Sequence, residues 1–426
     1  MLSFNQPTDS WYHVSAGPGV ARPALDGDLS CDVAVVGGGL TGCSTALHLA
    51  QRGYRVVLLE GATVGYGASG RSGAQLLPGF ASGQGVLRAA LGAAGARAAF
   101  NLSIEGMALS QRLIRDHAIE CDYRVGQAHV AVKPRQALEL LAMQRELEAL
   151  DYPHTRLLEQ EELGQLLATT RYRRGLFDSH SAHLHPLKYV RGLAAAAERA
   201  GARICEHTPA LQLQHGEPAR LVTATGTVTA RHVALCGNAY LQGLAPTLRA
   251  RIMPVSTYII ATEPLGEARA ATLIRNDMAV TDLNFVLDYY RRSADHRLLF
   301  GGRVSYSGYD PLGTTRATRA RMLAVYPQLA DVRIDHAWGG YVDISMNRAP
   351  DFNRLAPNIY YAQGFSGHGM ILTVMAGQLM AEAIAGQAER FDVFTRLRHR
   401  PFPGGALLRR PALVLGMLWY RLRDLL

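Results

Sequence analysis

Residues 32–60 read DVAVVGGGLTGCSTALHLAQRGYRVVLLE, and their order of residue types predicts strand, turn, helix and second strand. Residues 32–36 form a short β-branched run, and Gly37-Gly38-Gly39-Leu40-Thr41-Gly42 follows at once. Residues 43–52 then carry the apolar spacing of a helix, Gly53 stops it, and 55–59 is a second apolar run. Such a βαβ opening suits a dinucleotide. Gly37 permits the tight turn, Gly39 lets backbone approach a pyrophosphate, and Gly42 with Ala46 lets the helix lie close to the sheet. The phosphates then meet the helix N-terminus at Leu40 and Thr41. Glu60 ends the second strand, placed to accept from a ribose 2′-OH and to repel a 2′-phosphate. FAD or NAD fits this pattern and NADP does not.

Working outward, 426 residues are too many for one ordinary core and enough for two domains. The five cysteines (Cys31, Cys43, Cys121, Cys205, Cys236) are odd in number and never spaced CxxC, which argues against a disulfide framework or a zinc site; no metal is expected. They fit a reducing cytoplasm. Residues 1–11, MLSFNQPTDSW, lack the basic and apolar regions of a secretory signal, and no run reaches the length of a spanning helix. The net charge of +9 comes from dispersed arginines with only two lysines, Lys133 and Lys188, so no nucleic acid partner is expected.

Along the chain, residues 1–30 are Pro- and Gly-punctuated and predict an extended arm on the surface. After Glu60 the stretch GATVGYGASGRSGAQLLPG denies any long element and lets backbone pass close to a flat ligand. The pattern predicts helices over 89–116, 136–150, 186–200 and 315–326, a strand over 121–133, another over 203–206, and a hairpin around Gly226. RHVALCGNAY places an apolar strand against Gly237, and 251–303 reads as antiparallel strands. A strand over 359–362, a turn with Gly364, Gly367 and Gly369, and an apolar helix ended by Gly386 aim a second helix N-terminus from a glycine loop.

These stretches resemble a known family. VVGGGLTG, GYGASGRSG, VALCGNAY and GFSGHG, in that order, are similar to the D-amino-acid/glycine/sarcosine oxidase (DAO) family of FAD-dependent amine oxidoreductases, over residues 31–386. Within it, LDYYRRSADHRLLFGGR and WGGYVDISMNRAPDF look most like the gamma-glutamylputrescine oxidases. The resemblance implies a fold of class α/β plus α+β: a Rossmann-like FAD-binding domain with a parallel sheet, and an antiparallel-sheet substrate domain discontinuous in sequence. We expect 31–105, 155–250 and 335–390 in the first, 106–154 and 251–334 in the second, and 391–426 as a tail.

By the same resemblance, Gly37, Gly39, Gly42 and Glu60 hold the ADP half of FAD, with Ala210 at the adenine and Gly237 and Gly364 in the accompanying turns. Ser69, Gly70, Arg71 and Ser72 lie near the ribityl chain and flavin, and Gly367, His368, Gly369 and Met370 at the pyrimidine ring. The positive end of the following helix would face charge that develops there. Tyr289 and Arg291 share one strand face by period 2, near the flavin, and are expected with His368 to serve catalysis. Family members with covalent FAD carry a cysteine in the segment matching 340–346, and none stands here, so noncovalent FAD is implied.

The implied activity is oxidation of an amine C–N bond to imine or aldehyde, with electrons passed to oxygen. The arginine and lysine that grip a carboxylate in amino-acid and sarcosine oxidases are replaced by Val342-Asp343 and Ile371. That favours a polyamine such as gamma-glutamylputrescine, with Asp343 drawing a distal ammonium. The alternative is an L-pipecolate-like imino-acid dehydrogenase feeding quinone and the respiratory chain, with Arg71, Arg291 or Arg303 on the carboxylate. Residues 411–426, PALVLGMLWYRLRDLL, predict a docked helix, an oligomer contact, or a peripheral membrane contact on the inner face.

Overall fold

The computed structural model describes residues 10–241, 243–305 and 311–403. The tail at 411–426, and any membrane or subunit contact it makes, lies outside them. Among the described residues no single helix is long and apolar enough to cross a membrane.

Two sheets organise the chain. The first runs in the order Asp351–Ala356, Ile359–Gln363, Thr227–Leu235, Leu29–Val36, Val56–Leu59, Arg203–Cys205. The five strands from 359–363 to 203–205 pair in parallel, as a βαβ start requires. Strand 351–356 closes one edge antiparallel, and 219–222 forms the expected hairpin with 227–235.

Helix Leu40–Ala50 covers this sheet and is buried at every residue, the condition under which a helix reads apolar all round. Against it lies helix Met370–Ile384, which crosses so closely that a Cβ on Gly377 would stand 2.5 Å from that of Ser44. Ser44 Oγ donates to the Val374 carbonyl at 2.7 Å across the same contact.

The second sheet runs Ile334–Ser345, Ile252–Thr262, Leu298–Ser305, Tyr289–Arg292, Ala279–Asp282, Arg124–Ala131, Arg174–His183, Gln75–Leu76, with Thr155–Glu159 beside 174–183. It is mixed, because 279–282 pairs in parallel with 124–131. Three segments thus leave the domain expected for them. Strand 75–76, strands 155–159 and 174–183, and most of 334–345 belong to the second sheet. Their side chains alternate too weakly to declare a sheet, and pairing with 124–131 and 252–262 decides the matter.

The arm is also corrected. Residues 11–15 form a short helix capped by Ser10, and Trp11 and Tyr12 are buried in the main core at 3% and 0% exposure. Trp11 Nε1 donates to Asp295 at 3.0 Å. Further on, Arg22 pairs with Glu198 at 2.7 Å and Glu206 at 3.3 Å. Two aromatic rings gain several kcal/mol from leaving water, which outweighs the punctuation that suggested a surface path.

The expected long helix begins at Gly83 rather than residue 89 and breaks at Gly92, whose φ of +75° no helix accommodates. The other helices, at 134–148, 186–199 and 311–325, lie within a few residues of expectation.

Candidate active site

A cavity of about 1370 Å³ runs between the two sheets. At one end, strand 29–36 turns into helix 40–50 through Gly37, whose φ is +109° and whose added Cβ would meet Cys236 and Gly237 backbone at 2.9 Å. Behind it, a Cβ on Gly42 would stand 1.9 Å from the Gly37 carbonyl oxygen. The N-cap position, Gly39, has no side chain to cap the helix, so its N-terminal amides and dipole are presented to a ligand. Ser69 Oγ accepts one of them, from Leu40, at 2.9 Å.

Glu60 is buried and accepts from the amides of Gly38 at 2.6 Å and Ala62 at 2.8 Å. Burial raises its pKa, while those amides pull it back down. Each carboxylate oxygen keeps a further lone pair for a hydroxyl.

At the other end a second uncapped helix, Met370–Ile384, begins at Gly369. His368 Nε2 lies 3.1 and 3.0 Å from the carbonyls of Leu77 and Pro78. Between two acceptors that nitrogen carries the proton, and burial lowers the ring's pKa, so the imidazole is neutral. Tyr289 crosses the second sheet between two glycines. A Cβ on Gly73 would meet its ring at 2.6 Å and one on Gly301 at 2.3 Å. Its hydroxyl bonds Thr257, and burial raises its pKa.

Of the residues expected at the site, Gly37, Gly39, Leu40, Thr41, Glu60, Ser69, Ser72, Ala210, Gly237, Tyr289, Gly367, His368, Gly369 and Met370 line the cavity. Gly42, Gly70, Arg71, Gly364 and Arg291 stand behind its wall. Gly70 sits against Gly65, whose carbonyl oxygen would be 2.2 Å from a Cβ there. Arg71 Nε donates to the Tyr66 carbonyl at 2.7 Å and Nη1 to Gly339 at 3.2 Å.

Arg291 shares its strand face with Tyr289, yet its guanidinium is taken up behind the wall. It donates to the carbonyls of Gly73 and Leu184 at 3.2 and 2.8 Å and to the Tyr12 hydroxyl at 2.9 Å. It ties the arm and the glycine loop to the sheet. Asp343 reaches the wall, but its carboxylate accepts from the Gly364 amide and the Asn238 side chain, and burial raises its pKa to about 6. That use joins strand 334–345 to the second glycine turn in place of the expected ammonium contact. Arg303 has its backbone in strand 298–305, and its side chain falls outside the description.

Residues not anticipated also line the cavity: His129, Gln75, Thr281, Thr257 and the loop Phe285–Leu287. Thr281 Oγ1 donates to Gln75 Oε1 at 2.7 Å. No local sequence signal marks His129 or Thr281, because pairing between strands some 150 residues apart brings them together.

The cavity suits FAD on its own evidence. One end is a backbone cradle that a single Cβ would fill, with a carboxylate beyond it; the other is a long pocket with a second helix N-terminus. The five cysteines are free and buried, and none falls within 340–346.

Comparison with known proteins bears on this directly. Residues 32–383 match the family model described as FAD dependent oxidoreductase. The chain is 42% identical over 418 residues to the gamma-glutamylputrescine oxidoreductase of Escherichia coli (strain K12), covering 98% of both. It is 39% identical over 429 residues to the probable oxidoreductase OrdL of Haemophilus influenzae, covering 99% of both. The crystal structure of glycine oxidase from Geobacillus kaustophilus shares the fold, with a TM-score of 0.73 at 20% identity over 87% of this chain and 100% of that one. On the family match, the identity with these relatives and a cavity shaped for the dinucleotide, the chain belongs to the DAO family of FAD-dependent oxidoreductases, and FAD is its cofactor.

Proposed function

We propose that the protein oxidises the C–N bond of gamma-glutamylputrescine, or a closely related acylated polyamine, to an imine that hydrolyses to an aldehyde, with oxygen as the final acceptor. The observation that carries the substrate class is the wall around Tyr289. Among the described residues Arg348 is the only arginine or lysine lining the cavity, and it is exposed, over the Phe285 ring at 5.9 Å. A carboxylate borne on the reacting carbon itself would lack there the bidentate partner that offsets its desolvation, whereas the carboxylate of gamma-glutamylputrescine sits at the far, glutamyl end of the molecule. Val342 lines the wall where a cationic anchor would serve, and Ile371 is buried behind it. The name of the 42% identical relative supports the same substrate.

FAD, held by the turn at Gly37–Gly42 and by Glu60, would supply the acceptor for the hydride equivalent that leaves the carbon bearing nitrogen. The chain's own part is to orient and desolvate. The Tyr289 ring, held flat by Gly73 and Gly301, limits how the donor lies. The neutral His368 and the buried surroundings favour the uncharged amine, the form that can lose hydride. The dipole of helix 370–384 favours negative charge at its N-terminus. The five free cysteines support a reducing compartment, and we place the reaction in the cytoplasm.

The test is anaerobic mixing of the purified holoenzyme with a panel of amines, following the flavin absorbance. Gamma-glutamylputrescine should bleach it at least about tenfold faster than glycine, alanine or sarcosine, a difference of about 1.4 kcal/mol. L-pipecolate or another imino acid reacting fastest would replace this reading.

A further inference from the structure

The second sheet presents a row of neutral hydrogen-bonding groups to the cavity. His129 on strand 124–131 pairs with Thr281 on 279–282, Thr281 with Tyr289 on 289–292, and Tyr289 with Gly301 on 298–305. His129, Thr281 and Tyr289 all line the cavity. With neighbouring strands about 4.8 Å apart, the two steps from His129 to Tyr289 span about 10 Å.

Two of the three groups have partners within the protein. Thr281 donates to Gln75, and the Tyr289 hydroxyl bonds Thr257. His129 differs, because its Nδ1 is buried and meets no hydrogen-bond partner. A buried polar atom left unpaired is costly enough that its presence calls for an explanation. Gln127, two residues earlier on the same face, likewise leaves both amide atoms buried and unpaired. Burial holds the pKa of His129 down to about 4, so it offers one donor and one acceptor and no charge.

We propose that His129 is the specificity residue that reads the amide-bearing arm of an elongated amine, lying along the Tyr289–Thr281 row with its reacting end toward Tyr289. An uncharged imidazole at the end of an uncharged row complements an amide, which is itself both donor and acceptor. The row itself brings no formal charge to meet a bare ammonium or carboxylate placed directly on it. Length agrees: an extended acylated diamine, at about 1.2 Å of reach per bond, spans most of the row. A short amino acid reaches a single strand step. Because a site built to hydrogen-bond its substrate rejects the analogue that lacks the group, His129 would set acylated against free diamine. The inference rests on the substrate reading above and names the residue behind it.

The experiment compares kcat/KM for gamma-glutamylputrescine and putrescine in wild type, His129→Leu and His129→Gln, with flavin content as the check on folding. We expect wild type to prefer the acylated donor, His129→Leu to lose at least about tenfold of that preference through KM, and His129→Gln to recover much of it. A preference that survives in His129→Leu with flavin bound overturns this inference and leaves the substrate reading standing. Wild type without a preference sinks the substrate reading itself. Should His129→Leu fail to hold flavin, Thr281→Val is read instead: a reduced preference supports the row, and an unchanged one overturns it.

Discussion

At the Glu60 end of the cavity the wall is mostly backbone, with Gly37 and Gly42 leaving no room for side chains. At the Tyr289 end it is side chains laid over glycines. Glycines serve both ends for different reasons. Around Gly37 they bring amides to the ligand; at Gly73 and Gly301 they clear space so that one ring can lie flat. The first arrangement depends on a carbonyl and a Cα that cannot move without moving strand 29–36, and the second on a ring that can tilt. A constraint made of backbone tolerates almost nothing, whereas one made of side chains degrades by steps.

That contrast is open to attack in order of severity. Gly42→Ala sets a Cβ 1.9 Å from the Gly37 oxygen, a contact that only a moved turn relieves. The purified variant should hold less than about a tenth of the wild-type flavin, since the turn is what lets backbone approach the pyrophosphate. Full flavin content, measured by absorbance against protein, would break the contrast at its stronger end.

Gly301→Ala should be milder. Its Cβ would stand 2.3 Å from the Tyr289 ring, which must swing aside. Turnover should fall about thirtyfold, with flavin content near wild type, because misplacement of about 1 Å already costs such factors. Unchanged turnover would show that the ring's attitude does not matter.

The smallest effect belongs to Asp343, at the seam between the ends. Burial raises its folded-state pKa to about 6 from 3.8, so the folded protein prefers the protonated form. Its contribution to stability is fully present below about pH 4 and is lost as pH rises through about 6. Asp343→Asn keeps an acceptor for the Gly364 amide and removes that loss. The holoenzyme variant should be more stable than wild type at pH 7 by up to about 3 kcal/mol, and should lack this part of the slope between pH 4 and 6. Urea denaturation at the two pH values checks it, and a variant clearly weaker at pH 7 would give the carboxylate's charge a positive role.

The Glu60 end was readable in the residues because phosphate binding by backbone demands glycine at fixed spacing and an acid after the second strand. Nothing distant is needed to see it. The Tyr289 end was readable only in part. Period 2 correctly puts Tyr289 and Arg291 on one face, but Leu184 and Tyr12, more than a hundred residues away, pull Arg291 behind the wall. His129 meets Thr281 through a parallel pairing that no local pattern announces. Strand 174–183, with His180, Ser181 and His183 among its residues, hides its place in the second sheet for the same reason.

The seating of Trp11 and Tyr12 also bears on when the molecule is finished. Trp11 is bonded to Asp295 across 284 residues, and Tyr12 to Arg291 across 279. Contacts so distant in sequence carry a large loop-closure cost and form slowly. During synthesis, at about 5–20 residues per second, these two aromatics wait on the order of a minute or less for their partners to leave the ribosome. Both rings must stay out of other hydrophobic company until then. The segment made early is therefore among the last to be fixed, and its arrival closes the back of the wall on which Tyr289 lies.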